Sequence, residues 1–317
     1  MKLKIGQKRV NTFSRGQLKR IVDSLQQGNV IAFPTETVYA LAGDARNLTA
    51  IKKIFALKNR PLNQPLSVLL PENYNFELWV TNVSSLARHL AACFWPGPLT
   101  LILNKNETVL PELTGGQSKI GLRVPDHPIA QAILQGFTSG LAAPSANRST
   151  YLSSTQLEHV QQAFSDQLDI IIDGGECSVG IESTIVDVTS TIPRILRLGA
   201  ISQAKIQNVV NCEVILDTPA SMRDIRLPIQ EIAISNLKSV ISEYLSYGKS
   251  VTVLARHSSK LAMKNLIWIN MPKEAFDYAR VLYKYLREAE NLTDKILIEA
   301  LPTDASWIGI RHILGKY

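Results

Sequence analysis

Through the first two hundred residues, short apolar runs alternate with amphipathic stretches. Ser14 and Gln17 have the spacing of a capping box, which predicts a helix carrying Leu18, Ile21, Val22 and Leu25 and stopping at Gly28. Residues 30–33 then read as a buried strand ended by Pro34. Thr49 is placed to cap a helix that turns Ile51, Ile54, Phe55 and Leu57 to one side. Further strands are predicted at 66–70, 99–103, 120–124, 141–143, 170–172 and 184–188, with helices at 85–94, 129–134 and 155–164. The pattern is that of an α/β domain whose connections are too irregular for simple parallel winding.

From about residue 203 the apolar periodicity fades, and Pro219 through Pro228 read as the end of a linker. Beyond it, strands at 231–234, 251–254, 266–270 and 296–299 are spaced by helical patterns, one over Leu237, Val240, Ile241, Tyr244 and Leu245 and another near 275–290. Strands spaced by single helices predict a small parallel sheet. The expected organisation is a first domain over 1–202, a linker over 203–230 and a small Rossmann-like α/β domain over 231–317.

A length of 317 residues suits two domains, and 45% hydrophobic with 19% charged residues suits a soluble globular chain with a full core. The apolar runs are strand-sized, so no membrane span is predicted, and the basic start MKLKIGQKRV has no apolar stretch behind it that would make a secretory signal. Cys93, Cys177 and Cys212 are odd in number and lack CxxC spacing, which disfavours a disulfide framework and a zinc site and fits a reducing cytoplasm. The 34 lysines and arginines exceed the 27 acidic residues by seven, but they are spread along the chain. That charge is compatible with nucleotide or RNA partners without selecting them.

The candidate chemistry lies just after the strands. Thr35, Glu36, Thr37 and Tyr39 follow the first one, where open α/β sheets place ligand-binding groups. Threonines there can equally complete the strand edge. Lys58 and Arg60 close a helix, where cations complement its dipole or grip phosphates. Ser145, Asn147 and Ser153 can stabilise turns or bind ribose and phosphate oxygens. Arg123 and Arg197 end apolar strands, where an arginine is costly without an anionic partner. Histidines and carboxylates show no metal-ligand spacing, so no protein metal site is expected.

Seven stretches in order, PTETVYALAGDA, KNRPLNQPL, FWPGPLTLIL, IGLRVPDHP, APSANRS, DGGECSVGIESTIVD and ILRLGAI, resemble the YrdC-like family of threonylcarbamoyl-AMP synthases. VTVLAR, YKYLREAE and WIGIRHIL resemble the tail of its two-domain members. The resemblance implies a twisted mixed sheet around a large concave cavity, with a small Rossmann-like domain behind it. It implies synthesis of threonylcarbamoyl-AMP and pyrophosphate from L-threonine, bicarbonate and ATP with Mg2+, the product passing to a separate tRNA threonylcarbamoyltransferase. Matched position by position, Thr37, Arg123, Ala143 and Ser183 fall on threonine-binding positions. Arg60, Ser145, Ser153 and Arg197 fall on ATP-binding positions. Lys58 and Asn147 in the flanking motifs join them as ATP-binding residues, as does Gln64, and Lys58 and Arg60 are the catalytic pair that the resemblance implies.

The chain departs from the family pattern at Ala40, Gln64, Leu69 and Lys119. It has Ile225-Arg226-Leu227-Pro228 where two-domain members carry a His-Tyr-Ala-Pro segment. Two alternatives follow: a diverged non-catalytic relative that binds tRNA or double-stranded RNA, and an enzyme making a different carbamoyl-adenylate.

Overall fold

The computed structural model describes residues 13–218, 229–259 and 261–315. Nine strands form one mixed sheet: β1 (Ile31–Phe33), β2 (Ala40–Asp44), β3 (Val68–Leu69), β4 (Leu99–Asn104), β5 (Lys119–Arg123), β6 (Leu141–Ala142), β7 (Thr184–Asp187), β8 (Arg194–Arg197) and β9 (Ile215–Leu216). Their spatial order is β1-β2-β6-β3-β5-β4-β7-β8-β9. The pairs β3–β5, β4–β7 and β8–β9 are parallel, and the other neighbours are antiparallel. Helices α1 (Arg15–Gln26), α2 (Leu48–Lys58), α3 (Ser85–Phe94), α4 (Pro128–Phe137), α5 (Leu157–Phe164) and α6 (Gln203–Val210) accompany this sheet.

A second sheet holds β10 (Ile229–Ile232), β11 (Val251–Ala255), β12 (Leu266–Asn270) and β13 (Lys295–Glu299), in the order β10-β13-β11-β12. All its pairings are parallel, as the strand–helix spacing predicts. It carries α7 (Ile234–Ser246), α8 (Ala275–Glu290) and α9 (Ile308–Leu314).

Local rules explain the agreements and several corrections. The Ser14–Gln17 capping box is present in both directions. The cap of α2 is Asn47 and not Thr49, because the Asn47 carboxamide oxygen accepts from the N–H groups of Thr49 and Ala50. The 170–172 run makes only an isolated bridge from Ile171 to Ala32, and the 66–70 run pairs over two residues. Residues 203–216, expected to open the linker, instead hold α6 and β9, and β9 extends the large sheet against β8. The weak periodicity there reflects a helix that buries one side chain, Ile206, and a strand of two residues. The Ile225–Pro228 departure lies outside the described residues.

The two lobes share a core. Helix α8 buries Tyr278, Ala279, Leu282, Tyr283, Leu286 and Ala289, an i, i+3/i+4 stripe, in a cluster with Val38, Leu152 and Ile181 of the large lobe. Full burial of a leucine such as Leu282 contributes about 1.5–3 kcal/mol.

His159 of α5 is also buried, and its Nδ1 accepts the Thr155 N–H. Burial first, then the positive charges of Arg287 and Lys284 on α8, push its pKa down to about 3. The folded protein therefore keeps His159 neutral while the unfolded chain protonates near 6.5. The contribution of this group is complete above about pH 6.5 and falls as the solution is acidified toward 3, by up to about 1.4 kcal/mol per pH unit. Denaturant midpoints at pH 7 and 5.5 are expected to converge in His159→Gln relative to the parent. An unchanged difference would remove His159 from the acid response.

Candidate active site

A cavity of about 280 Å³ opens beside the strand ends of the large sheet. Three segments build its walls. After β1, Pro34 turns the chain, and the Thr35 hydroxyl donates to the Val38 carbonyl at 2.6 Å and lies 2.9 Å from the Thr37 hydroxyl. This fixes Thr37 in the lining. The same turn buries Glu36, whose carboxylate meets the Arg123 guanidinium at 2.6 Å. Arg123 ends β5, and its Nε donates to the Gly97 carbonyl at 3.2 Å. The anionic partner that a buried arginine requires is thus Glu36.

The second segment begins where α2 ends. Asn59 adopts a left-handed conformation (φ 50°, ψ 48°) and its N–H returns to the last turn, which stops the helix and turns Arg60 out of it. Arg60 lines the cavity, its Nε donating to the Gln64 carbonyl (3.3 Å) and its Nη2 to the Pro65 carbonyl (3.0 Å). Lys58 is buried and donates to the carbonyls of Ser145 and Asn147 at 2.5 Å each. Its ammonium therefore shapes the APSANRS loop as well as charging its surroundings. Asn147 is buried too, and its amide holds the Arg148 and Tyr151 carbonyls, while Ala143 and Ser145 line the cavity.

The third segment is the entry to β7. The Ser183 hydroxyl lies 2.8 Å from that of Thr100 and accepts from Arg197 Nη2 at 2.9 Å. Arg197 also donates twice to the Ser183 carbonyl, at 3.0 and 2.8 Å, so it is held against the cavity wall. Ser153 is fully buried, with its hydroxyl donating to Glu182 Oε1 at 2.7 Å. It stands behind Glu182, which lines the cavity. Three guanidinium groups and six aliphatic hydroxyls thus belong to residues lining one space, and Glu182 is its only lining carboxylate among the described residues. Such a site suits a ligand with phosphates and a carboxylate.

A family model described as Sua5/YciO/YrdC, telomere recombination, matches residues 23–199. The chain belongs to the Sua5/YciO/YrdC family. Within this family it is 32% identical over 321 residues to the threonylcarbamoyl-AMP synthase of Bacillus subtilis (strain 168), covering 95% of this chain and 92% of that protein. It is 40% identical over 186 residues to the threonylcarbamoyl-AMP synthase of Pyrococcus abyssi (strain GE5 / Orsay), an alignment spanning 59% of this chain and 55% of that protein. Two solved structures of P. abyssi Sua5, at 28% identity, superpose on the whole of this chain. A variant with two alanine substitutions gives a TM-score of 0.90 with 95% of that chain covered, and a complex with L-threonine gives 0.87 with 97% covered.

The candidate site residues lie at different depths around the cavity. Thr37, Arg60, Arg123, Ala143, Ser145, Ser183 and Arg197 line the cavity directly. Lys58, Asn147 and Ser153 lie one layer behind. Gln64 is exposed and contributes its backbone carbonyl to Arg60. Of the departures, Ala40 and Leu69 belong to one buried cluster. Lys119 lies on the same face of β5 as Gly121 and Arg123 and reaches Asp187 at 2.7 Å beyond the cavity. Burial alone would raise Asp187, but hydrogen bonds from Lys119 and Thr189 hold its carboxyl below the usual range.

Sequence reasoning missed Glu182 and Thr100 as lining groups and Glu36 as the partner of Arg123. Glu36 stands between two threonines already singled out, and a charged residue in a stretch otherwise built for burial was the available signal.

Proposed function

We infer that this chain is an L-threonylcarbamoyl-AMP synthase, a nucleotidyltransferase that forms threonylcarbamoyl-AMP and pyrophosphate from L-threonine, bicarbonate and ATP for threonylcarbamoyladenosine modification of tRNA. The observation that carries the inference is the convergence of Thr37, Arg60, Arg123, Ser145, Ser183 and Arg197 on one cavity in a chain that aligns nearly end to end with a synthase. Arg123, Ser183, Thr37 and the backbone at Ala143 take the threonine. Arg60 and Arg197 face the phosphates, with Ser145 beside them. Lys58, Asn147 and Ser153 act through the loops they hold, and Gln64 through the carbonyl it offers Arg60.

The chemistry asks for placement more than for a strong base. The threonine amine adds to the bicarbonate carbon with loss of water, and a carbamate oxygen then attacks the α-phosphorus while pyrophosphate leaves. The carbamate is labile in water, so a cavity that excludes solvent and holds the two reactants in line supplies much of the rate. Fixed guanidinium groups stabilise the charge that builds on the phosphates. Mg2+ enters with ATP as part of the substrate and shares that charge. Among the described residues no cluster of three His, Cys, Asp or Glu is arranged to hold a metal of its own.

The division into a catalytic lobe and a small Rossmann-like lobe belongs to this reading. So do a cytoplasmic site of action and transfer of the product to a separate tRNA threonylcarbamoyltransferase. Among the described residues no helix is long and apolar enough to cross a membrane.

Pyrophosphate release from MgATP and bicarbonate, with and without L-threonine, tests the reading. Threonine-dependent release is expected. Release supported by another amine and not by threonine would point to another carbamoyl acceptor, and no release from folded protein would turn the reading to a diverged RNA-binding relative.

A further inference from the structure

We infer that Tyr283, on α8 of the small lobe, is a positioning residue for the cavity of the large lobe, so that docking of the small lobe and occupancy of the cavity are linked. The identity of the occupant rests on the synthase reading; the linkage rests on the contacts. Tyr283 is 1% exposed, and its hydroxyl donates to the Glu182 carboxylate, 2.8 Å from Oε2 and 3.0 Å from Oε1. That same Oε1 accepts the Ser153 hydroxyl. Glu182 lines the cavity and precedes Ser183, whose carbonyl and hydroxyl hold Arg197. A chain of four residues therefore runs from the small lobe to a cavity guanidinium: Tyr283, Glu182, its neighbour Ser183, and Arg197.

The backbone around this chain is clamped from the same side. Gly180 has φ +78°, and a Cβ there would overlap the Arg280 Cα of α8 and lie 2.6 Å from the Arg280 carbonyl oxygen. Only glycine allows the helix so near. A Cβ on Gly309 of α9 would overlap the Gly199 carbonyl oxygen, and the next residue, Ala200, donates its N–H to the Glu182 carbonyl. The Arg287 guanidinium donates to the Leu152 carbonyl, beside Ser153, and Lys284 pairs with Glu176 at 3.1 Å. The segment bearing Glu182 and Ser183 is thus fixed between the cavity and the small lobe.

Burying the Glu182 carboxylate is costly unless it keeps its hydrogen-bond donors. Removing the Tyr283 donor allows the carboxylate to turn and carry Ser153 and Ser183 with it. Linkage is reciprocal: a ligand that needs Ser183 and Arg197 in place must also strengthen the docking of α8.

The test uses the full chain and its Tyr283→Phe variant, with MgATP and L-threonine as probes. Amide hydrogen exchange over residues 275–290 is expected to slow by about fivefold or more in the parent when both probes are added. Tyr283→Phe is expected to keep the fold, lose that ligand dependence and raise KM for ATP by a similar factor with kcat little changed. Should Tyr283→Phe fail to fold, Glu182→Gln, which offers an amide N–H2 where an acceptor is needed, is expected to lose the same ligand-dependent protection. Exchange on α8 that ignores the probes in the parent, or a ligand dependence that survives in the variant, overturns the inference. Pyrophosphate release by the parent is read separately, so a failed synthase reading is distinguishable from a failed linkage.

Discussion

Arg60→Ala is expected to slow threonine-dependent pyrophosphate release by about a hundredfold or more, with the unfolding midpoint nearly unchanged. The size follows from where charge develops. As pyrophosphate departs, negative charge grows on the phosphate oxygens, and a guanidinium already fixed beside them does not have to reorganise. Arg60 is so fixed: the left-handed Asn59 ends α2, and the Gln64 and Pro65 carbonyls hold the side chain at the cavity wall. It is half-buried and outside the apolar clusters, so its loss leaves the core intact. Arg60→Lys keeps the charge but cannot span both carbonyls, and is expected to recover only part of the rate. Steady-state rates at saturating MgATP check this; an Arg60→Ala rate within about twofold of the parent would remove Arg60 from the reaction.

Arg123→Leu is expected to lower stability by about 3–5 kcal/mol, because it leaves Glu36 charged and buried without its cation. Among the described residues, neither Glu36 oxygen has another hydrogen-bond donor to fall back on. The double variant Glu36→Leu/Arg123→Leu removes both charges, and its loss is expected to be smaller than that of Arg123→Leu alone. Turnover should remain absent in both, since the reading gives Arg123 to the threonine carboxylate. Urea unfolding with matched slopes measures the first half, and pyrophosphate release the second. Additive stability losses would mean that the pair is not coupled. Recovered turnover in the double variant would take Arg123 out of the threonine site.

The elements that the sequence made legible are those with long periodic signals. The helix near 275–290 and the small lobe's parallel sheet follow from residue spacing, while the face that α8 buries shows only in the structure. The candidate site residues stood out because they are polar or charged at the margins of apolar elements: Thr37 after β1, Arg60 after α2, Ser145 after β6, Arg123 and Arg197 at the ends of β5 and β8, and Ser183 just before β7. Depth was not legible. Lys58 and Arg60 are two residues apart, yet one is buried against carbonyls and the other faces the cavity, since the left-handed turn at Asn59 lies between them. The β9 strand was hard to see for a different reason. A strand of two residues owes its geometry to neighbours distant in sequence, and no local period announces it.

The strand order also governs when the protein can come together on the ribosome. The β1–β2 hairpin is complete by residue 44, but among the described strands it joins the rest of the sheet through β6, two residues at 141–142 inserted between β2 and β3. The β4 edge stays open until β7 arrives some eighty residues after it. Pairings this distant demand costly loop closure before they are rewarded. The cavity draws walls from segments along this whole span, so no early fragment of the nascent chain can complete it. The cavity is complete only after Arg197 has left the exit tunnel, and until β7 pairs with it the open β4 edge is the surface a chaperone would need to shield.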